Sequence, residues 1–311
     1  MGKIIGPGSL IADVTGFAPH LPVAGETVKG TSLKFGPGGK GNNQMTAAHR
    51  AGSEVKLIGC RAEDFLGRIL KEHYAAEGMS EEYITVTTEA ETGGAFIEVD
   101  GSTGQNRIIV ILAANELVGR EKVLAAERDF RDCDAVLAQF ETTAESVLAA
   151  KELAHRYGKP FILNPAPYIE VPGEIFDGVD YLTPNETEAE QFTGVRVDSL
   201  DDCRKAAGRF LGMGVKNVII TLGARGAFWT DGAEELFVPA LRVAVVDTTG
   251  AGDAFSGGFA TAIAERLPVK TALRFATCTS AISVTRLGTS PSMPQRGEIL
   301  ALMEKEYGEK L

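Results

Sequence analysis

Asp247-Thr248-Thr249-Gly250-Ala251-Gly252-Asp253-Ala254-Phe255 is the stretch from which the fold reads outward. A β-branched run, Val243 to Val246, precedes it, and a small-residue segment of helical character, Ala254 to Glu265, follows. The order predicts strand, glycine turn, helix. Such a junction aims several backbone N–H groups of a helix start at one point, where the helix dipole favours an anion. Asp253 places a carboxylate in that same turn, either as a helix cap or as a group with chemistry to perform.

Downstream of Asn115, strand-like and helix-like segments alternate: 135–139, 144–157, 160–164, 180–183, 186–194, 200–214 and 217–222. Strands separated by helices of this length predict β-α-β units and a mainly parallel sheet. Glu141, Asn164, Asn185, Thr221 and Asp247 fall at or just beyond the expected strand ends, where sheets of this kind hold ligands. Helices over 271–286 and 298–307 close the chain.

Upstream, residues 3–10 read as a strand that delivers Asp13 just after it, and 23–35 as a hairpin. Four glycines in the six positions Gly36 to Gly41 exclude regular structure and lead into a helix over 43–51. A strand over 55–60 and a helix over 63–77 follow. Runs over 83–88, 95–100 and 107–112, separated by glycine turns, predict antiparallel strands that join the 23–35 hairpin in a small separate sheet. The 311 residues form one α/β domain on this reading, with the small sheet supplied by two insertions, about 14–36 and 91–113.

A net charge of -11 argues against a nucleic-acid or anionic-membrane surface. Cys60, Cys133, Cys203 and Cys278 are too scattered for a zinc site or disulfide scaffold, no run of 18 apolar residues occurs, and the expectation is a cytoplasmic protein.

Within Pro184-Asn185-Glu186-Thr187-Glu188-Ala189-Glu190, Asn185 and Glu188 are three apart and can converge. Oxygen ligands at a helix start suit Mg2+, and an acidic first turn also simply complements the helix dipole. Thr221-Leu222-Gly223-Ala224-Arg225-Gly226 allows close backbone approach to a phosphate. Neither a Walker loop nor a dinucleotide glycine fingerprint is present. Gly250, Ala251 and Gly252 would supply donors for charge developing on a phosphoryl group, and Asp253 would take the proton of an attacking hydroxyl.

GGKGNNQ at 38–44, NPAP at 164–167, TPNETEAE at 183–190, TLGARG at 221–226 and DTTGAGDAF at 247–255 together resemble the ribokinase-like carbohydrate kinases, over residues 3 to about 305. The resemblance implies a three-layer α/β/α sandwich with a β-sheet lid, ATP and Mg2+ as cosubstrates, and γ-phosphoryl transfer to a sugar hydroxymethyl oxygen, the 5-hydroxyl of D-ribose for ribokinase itself. Carried over by position, Asp253 resembles the catalytic base and Gly250 to Gly252 the anion hole. Asp13, Gly39, Lys40, Asn43 and Glu141 match sugar contacts. Asn185, Glu188, Thr221, Gly223, Gly226 and Thr277 match the nucleotide and magnesium side, with Thr277 near the adenine. Asp247, Thr249, Ser283, Arg286, Gly288 and Ser292 match a monovalent-cation site for K+. Pairing of two lids implies a homodimer.

One position departs from the pattern. Ile11 stands where these kinases place an asparagine two residues before the sugar-binding aspartate. An unpaired buried hydroxyl costs about 1–3 kcal/mol, which favours a sugar lacking that hydroxyl, such as 2-deoxyribose. A water bridge would restore ribose. A nucleoside substrate is disfavoured because few aromatics lie near the sugar loops. A non-catalytic sugar-binding regulator would show damage at Asp253 or its turn, and both are intact.

Overall fold

Neighbouring residues on the central strands point into opposite hydrophobic cores. In the computed structural model, which describes residues 1–311, Ile4 and Ile5, Val136 and Leu137, Phe161 and Ile162, and Ile219 and Ile220 divide between two buried clusters. This is the two-residue period of strands buried on both faces, which makes their sequences continuously apolar.

From the N-terminus, β1 (Lys3–Pro7) leads to β2 (Ile11–Ala18), β3 (Ser32–Gly38), α1 (Lys40–Arg50), β4 (Glu54–Ala62), α2 (Phe65–Glu77) and β5 (Ile84–Thr87). Strands β6 (Gly93–Asp100) and β7 (Asn106–Ile111) precede the short helices α3 (Arg120–Ala125) and α4 (Glu127–Asp132). Then come β8 (Ala135–Ala138), α5 (Ala144–Arg156), β9 (Phe161–Leu163), β10 (Tyr181–Leu182), α6 (Glu186–Thr193), α7 (Leu200–Gly212) and β11 (Val218–Thr221). The hairpin β12 (Gly226–Thr230) and β13 (Glu235–Pro239) and the helices α8 (Ala251–Ala264), α9 (Val269–Ser283) and α10 (Arg296–Tyr307) complete the chain.

Nine strands form one sheet in the order β13-β12-β11-β10-β9-β8-β1-β4-β5. All its neighbours are parallel except β11–β12 and β12–β13. Helices α3 to α7 line one core and α1, α2 and α8 to α10 the other, giving three layers. The chain runs outward from β1 in both directions, so the order reverses between β1 and β8, which is where a ligand crevice opens in such sheets. A second sheet, ordered β3-β2-β6-β7, stands apart.

Five expectations need correction. The segment 3–10 ends as a strand at Pro7, and Asp13 lies inside β2 rather than after β1. The 23–35 hairpin is instead the pair β2–β3, with 19–31 as its connection. Strand β5, assigned to the small sheet, pairs parallel with β4 at the edge of the large one, because α2 makes the link between them a crossover. In the small sheet β2 and β6 also run parallel. Finally, Val243 to Val246 forms no strand: Val245 and Val246 are 61% and 55% exposed. β-propensity describes fit to a pleated, half-buried surface, and the hairpin of β12 and β13 already occupies that sheet edge. The hairpin has its usual signal in Asp231-Gly232, which stands between two β-branched and aromatic runs.

Helices α1 and α8 cross closely at Gly257, where an added Cβ would come within 2.4 Å of the Gln44 carbonyl oxygen. Gly257→Ala is expected to destabilise the fold by about 1–3 kcal/mol in urea unfolding. Gly208→Ala, on α7 with nothing within 4 Å, should be neutral or stabilising.

Candidate active site

Helix α8 starts at Gly250, whose φ of 78° is a left-handed conformation natural to glycine. The turn presents its backbone donors unevenly. Ala251 N–H donates to the Thr248 carbonyl at 3.2 Å and Ala254 N–H to the Gly250 carbonyl at 2.8 Å, while the N–H groups of Gly252 and Asp253 between them meet no acceptor. Asp253 does not cap the helix. Its Oδ2 accepts from Asn43 Nδ2 and its Oδ1 from Gln44 Nε2, both at 2.9 Å, across the α1–α8 crossing.

The sheet's reversal point brings the ends of β1 and β8 together. Ser9 Oγ donates to Glu141 Oε2 at 2.5 Å, and the Lys40 backbone N–H donates to the same oxygen at 2.8 Å. Gly39, at φ 87°, lets the chain turn there from β3 into α1. Asp13 faces this group from β2, with Oδ2 3.1 Å from the Thr289 hydroxyl. Five predicted sugar-side residues, Asp13, Gly39, Lys40, Asn43 and Glu141, therefore surround the same turn as Asp253.

Ile11 lies two residues from Asp13 along β2, hence on the same face of that strand. It is 2% exposed, and it is the one buried hydrophobic side chain larger than alanine outside all the core clusters.

Burial raises the proton affinity of Asp253, against the lowering influence of Lys40 and of the Gln44 and Asn43 donors. The helix start alone therefore does not decide its ionisation. Glu141 and Glu188 are likewise pushed up by burial. Burial also acts to lower the Lys40 ammonium, but Asp253, Glu141 and Glu188 hold it above its ordinary value. Asp13 is pushed up to about 7 by burial, with Glu141 and Asp253 adding to the effect.

On the predicted nucleotide side, Asn185 and Thr221 form a bridge between the ends of β10 and β11. Gly223 opens a single 3-10 turn, and Gly226, at φ 124°, closes it. Thr277 lies buried on α9, its hydroxyl given to the Leu273 carbonyl at 2.8 Å. Asn185 and Glu188 converge on each other. They form a capping box in which Glu188 Oε1 and Oε2 accept the Asn185 side-chain and backbone N–H at 2.9 Å. Glu186, the other acidic residue of that turn, pairs with Arg225. No group of three His, Cys, Asp or Glu side chains is placed to hold a metal.

Asp247 Oδ1 accepts from Thr249 N–H at 2.9 Å and its Oδ2 from Gly288 N–H at 3.0 Å, joining the two halves of the predicted cation site. The carbonyl oxygens of Asp247, Thr249, Arg286 and Gly288 accept no hydrogen bond within the protein. Ser283 and Ser292 instead spend their hydroxyls on the Ser280 and Thr289 carbonyls, at 2.8 and 2.7 Å.

Ser9, Asn115, Gln139, Thr289 and Ser290 also reach the site, with no motif that marks them. Asn115 clamps the β1–β2 bend through Leu10, accepting its N–H at 2.7 Å and donating to its carbonyl at 2.9 Å. Gln44 closes the GGKGNNQ motif. The others stand singly in sequence and gain meaning only from the chain's return to the same place.

Residues 1–296 match the family described as pfkB family carbohydrate kinase. A ribokinase of Haemophilus influenzae is 38% identical over 297 residues, 96% of this chain and 97% of the relative. A deoxyribokinase of Salmonella typhi is 35% identical over 301 residues, 96% and 98% of the two chains. Among solved structures, a ribokinase of Thermotoga maritima superposes with a TM-score of 0.87 at 37% identity, covering 98% of this chain and 100% of that one. An Arabidopsis thaliana ribokinase complexed with ribose and ATP gives 0.89 at 29% identity, covering 97% and 99%.

The Asp13 carboxyl carries a stability consequence. Burial holds it at about 7, above the ordinary carboxyl value, so the penalty is absent below about pH 4, grows between about pH 4 and 7, and is fully present above that. Asp13→Asn is expected to stabilise the sugar-free protein by on the order of 2 kcal/mol at pH 8. That gain should vanish near pH 4 in melting experiments.

Proposed function

Because this chain belongs to the pfkB family of carbohydrate kinases, we propose that it transfers the γ-phosphoryl group of ATP to the 5-hydroxyl of D-ribose, with Asp253 as the base. The observation that carries this reading is the orientation of Asp253. Its carboxylate is turned away from the helix it could cap and held by two side-chain amides beside two unpaired N–H groups.

Asp13, Gly39, Lys40, Asn43 and Glu141 orient the sugar, and its hydroxymethyl oxygen meets Asp253. As that oxygen attacks, Asp253 takes its proton, a role worth roughly a factor of 10² to 10⁴. Gly250, Ala251 and Gly252 form the anion hole, and the free N–H groups of Gly252 and Asp253 receive charge developing on the phosphoryl group. Asn185, Thr221, Gly223 and Gly226 bind the nucleotide phosphates and Thr277 lies toward the adenine.

Mg2+ keeps most of its waters and takes one or two carboxylates. A site with Glu188 alone on that side fits such an ion through water, and the ion would supply neutralising charge on the phosphates. Unpaired carbonyl oxygens around Asp247 and Thr249, Arg286 and Gly288 suit a weakly hydrated cation such as K+, with Ser283 and Ser292 shaping the loops that carry them.

Ile11 supports a second reading, 2-deoxyribose as the preferred sugar. Its apolar side chain is buried beside Asp13 without belonging to any core, so it offers no partner to a sugar hydroxyl.

The small sheet acts as the lid, supplied by insertions at about 14–36 and 91–113. On β7, Ile108, Ile109, Val110 and Ile111 are all at least 46% exposed, an apolar surface suited to pairing with the lid of a second copy in a homodimer. Sedimentation at the monomer mass would remove that assignment. The four free, buried cysteines suit a cytoplasmic setting, and no helix is long and apolar enough to cross a membrane.

A sugar-dependent ADP-release assay tests the reading. Asp253→Ala should lower kcat by at least about a hundredfold, and near-normal turnover would remove the base assignment. In the same assay Ile11→Asn should shift preference from 2-deoxyribose toward ribose by roughly tenfold or more. An unchanged ratio would show that Ile11 does not read the sugar.

A further inference from the structure

Asp253 is held at both oxygens by chains of side chains whose outer ends each leave a buried oxygen unpaired. In one chain Gln139 Nε2 donates to Gln44 Oε1 at 2.8 Å, and Gln44 Nε2 donates to Asp253 Oδ1 and to Asn164 Oδ1, both at 2.9 Å. Asn164 passes its own Nδ2 to the Thr183 carbonyl at 2.8 Å. In the other, Asn42 Nδ2 donates to Ser290 Oγ at 2.9 Å, Ser290 Oγ to Asn43 Oδ1 at 2.6 Å, and Asn43 Nδ2 to Asp253 Oδ2 at 2.9 Å. The two unpaired oxygens are Gln139 Oε1 and Asn42 Oδ1.

The direction of the first chain is dictated by its ends. A backbone carbonyl and a carboxylate can only accept, so Asn164 must turn its NH₂ to Thr183 and its oxygen to Gln44. Gln44 must then turn its NH₂ toward both Asn164 and Asp253. Its own oxygen is left facing Gln139, and only a donor there satisfies it. Gln139 supplies that donor and leaves its Oε1 orphaned, packed so closely over Gly8 that an added Cβ there would lie 2.9 Å from it. Local hydrogen bonding has been given up at the outer end of the chain while a donor reaches the carboxylate at the inner end.

We propose that Gln139 is a positioning residue, acting through Gln44 to keep a proton donor on Asp253 and so to hold that carboxylate ionised and in place. The kinetic part of this proposal rests on the kinase reading above, whereas the electrostatic part does not. The charged groups facing Asp253 are Lys40 on α1, Asp13 on β2, Glu141 beyond β8 and Glu188 on α6. All four are retained in the variants below, so a difference reports on the amide chain.

Gln139→Met keeps the shape and removes the donor. Gln139→Glu keeps the shape and, once ionised, sets an acceptor against Gln44 Oε1, so the Gln44 amide must rotate and turn its oxygen on Asp253. For Gln139→Met the expected result is a kcat about tenfold lower with the sugar KM within about twofold, and an acidic limb of the kcat profile roughly one pH unit higher. Gln139→Glu should lose activity as pH rises, producing a descending limb absent from the wild type, because its protonated form still donates and its ionised form does not. Titration of the Asp253 carboxyl carbon by ¹³C NMR in the sugar-free protein should show the same upward displacement in Gln139→Met.

An acidic limb and a carboxyl titration that both stay at their wild-type positions in Gln139→Met overturn the proposal, even if kcat falls, since packing alone would do that. If the wild type phosphorylates no sugar while the Asp253 titration still moves, the kinase reading fails and the electrostatic role of Gln139 stands. Should Gln139→Glu melt too low to assay, Gln139→Met with its titration decides the matter.

Discussion

A carboxylate buried between two helices and bonded by amides from the neighbouring one is the contact on which the rest of this molecule depends. Asp253 belongs to α8, its donors Asn43 and Gln44 to α1, and the two helices come close enough only because Gly257 has no side chain. The glycine run before α1 carries the chain from the small sheet into that helix. Burial of the carboxylate carries a desolvation penalty that two hydrogen bonds and a nearby lysine only partly offset. The helix pair, the small sheet and the reversal of the large sheet thereby converge on one position.

The charge balance around that position is uneven. Asp13, Glu141, Glu188 and Asp253 face one lysine, and burial raises the proton affinity of all four carboxyls. Such an arrangement is unfavourable for the folded chain alone. It is the usual trade between stability and activity, in which groups kept for a ligand or a reaction are poorly satisfied without it. The unpaired oxygens of Asn42 and Gln139 belong to the same account.

The sequence was legible where chemistry and local structure share one short segment. The GAGD turn, the GGKGNNQ loop and the NETE helix start are each contiguous, and the alternation after Asn115 appears as β8 to β11 with their helices. It was not legible where pairing is decided at a distance. Strand β5 looked like a member of the small sheet because its neighbours in sequence were, yet its partner is β4. Asp13 was read as a residue beyond a strand, because nothing local reveals that β2 is paired on both sides. Ser290, Thr289 and Gln139 reach the site from remote parts of the chain, with no motif to announce them. For Asn185 and Glu188 the spacing implied convergence, and the two side chains do converge, as a capping box at the start of α6.

The absence of a strand before the GAGD turn changes how that turn is anchored. Residues 241–245 make no backbone hydrogen bond, and the chain is tied down again only where Val246 and Asp247 meet the Val284 carbonyl, at 2.8 and 3.2 Å. The position of Asp253 is thus set by the helices and the loop after α9, while the stretch leading to it is slack. Insertions or deletions between β13 and Val246 can accumulate there without moving Asp253, so chain length is free to drift in this stretch while the carboxylate stays fixed.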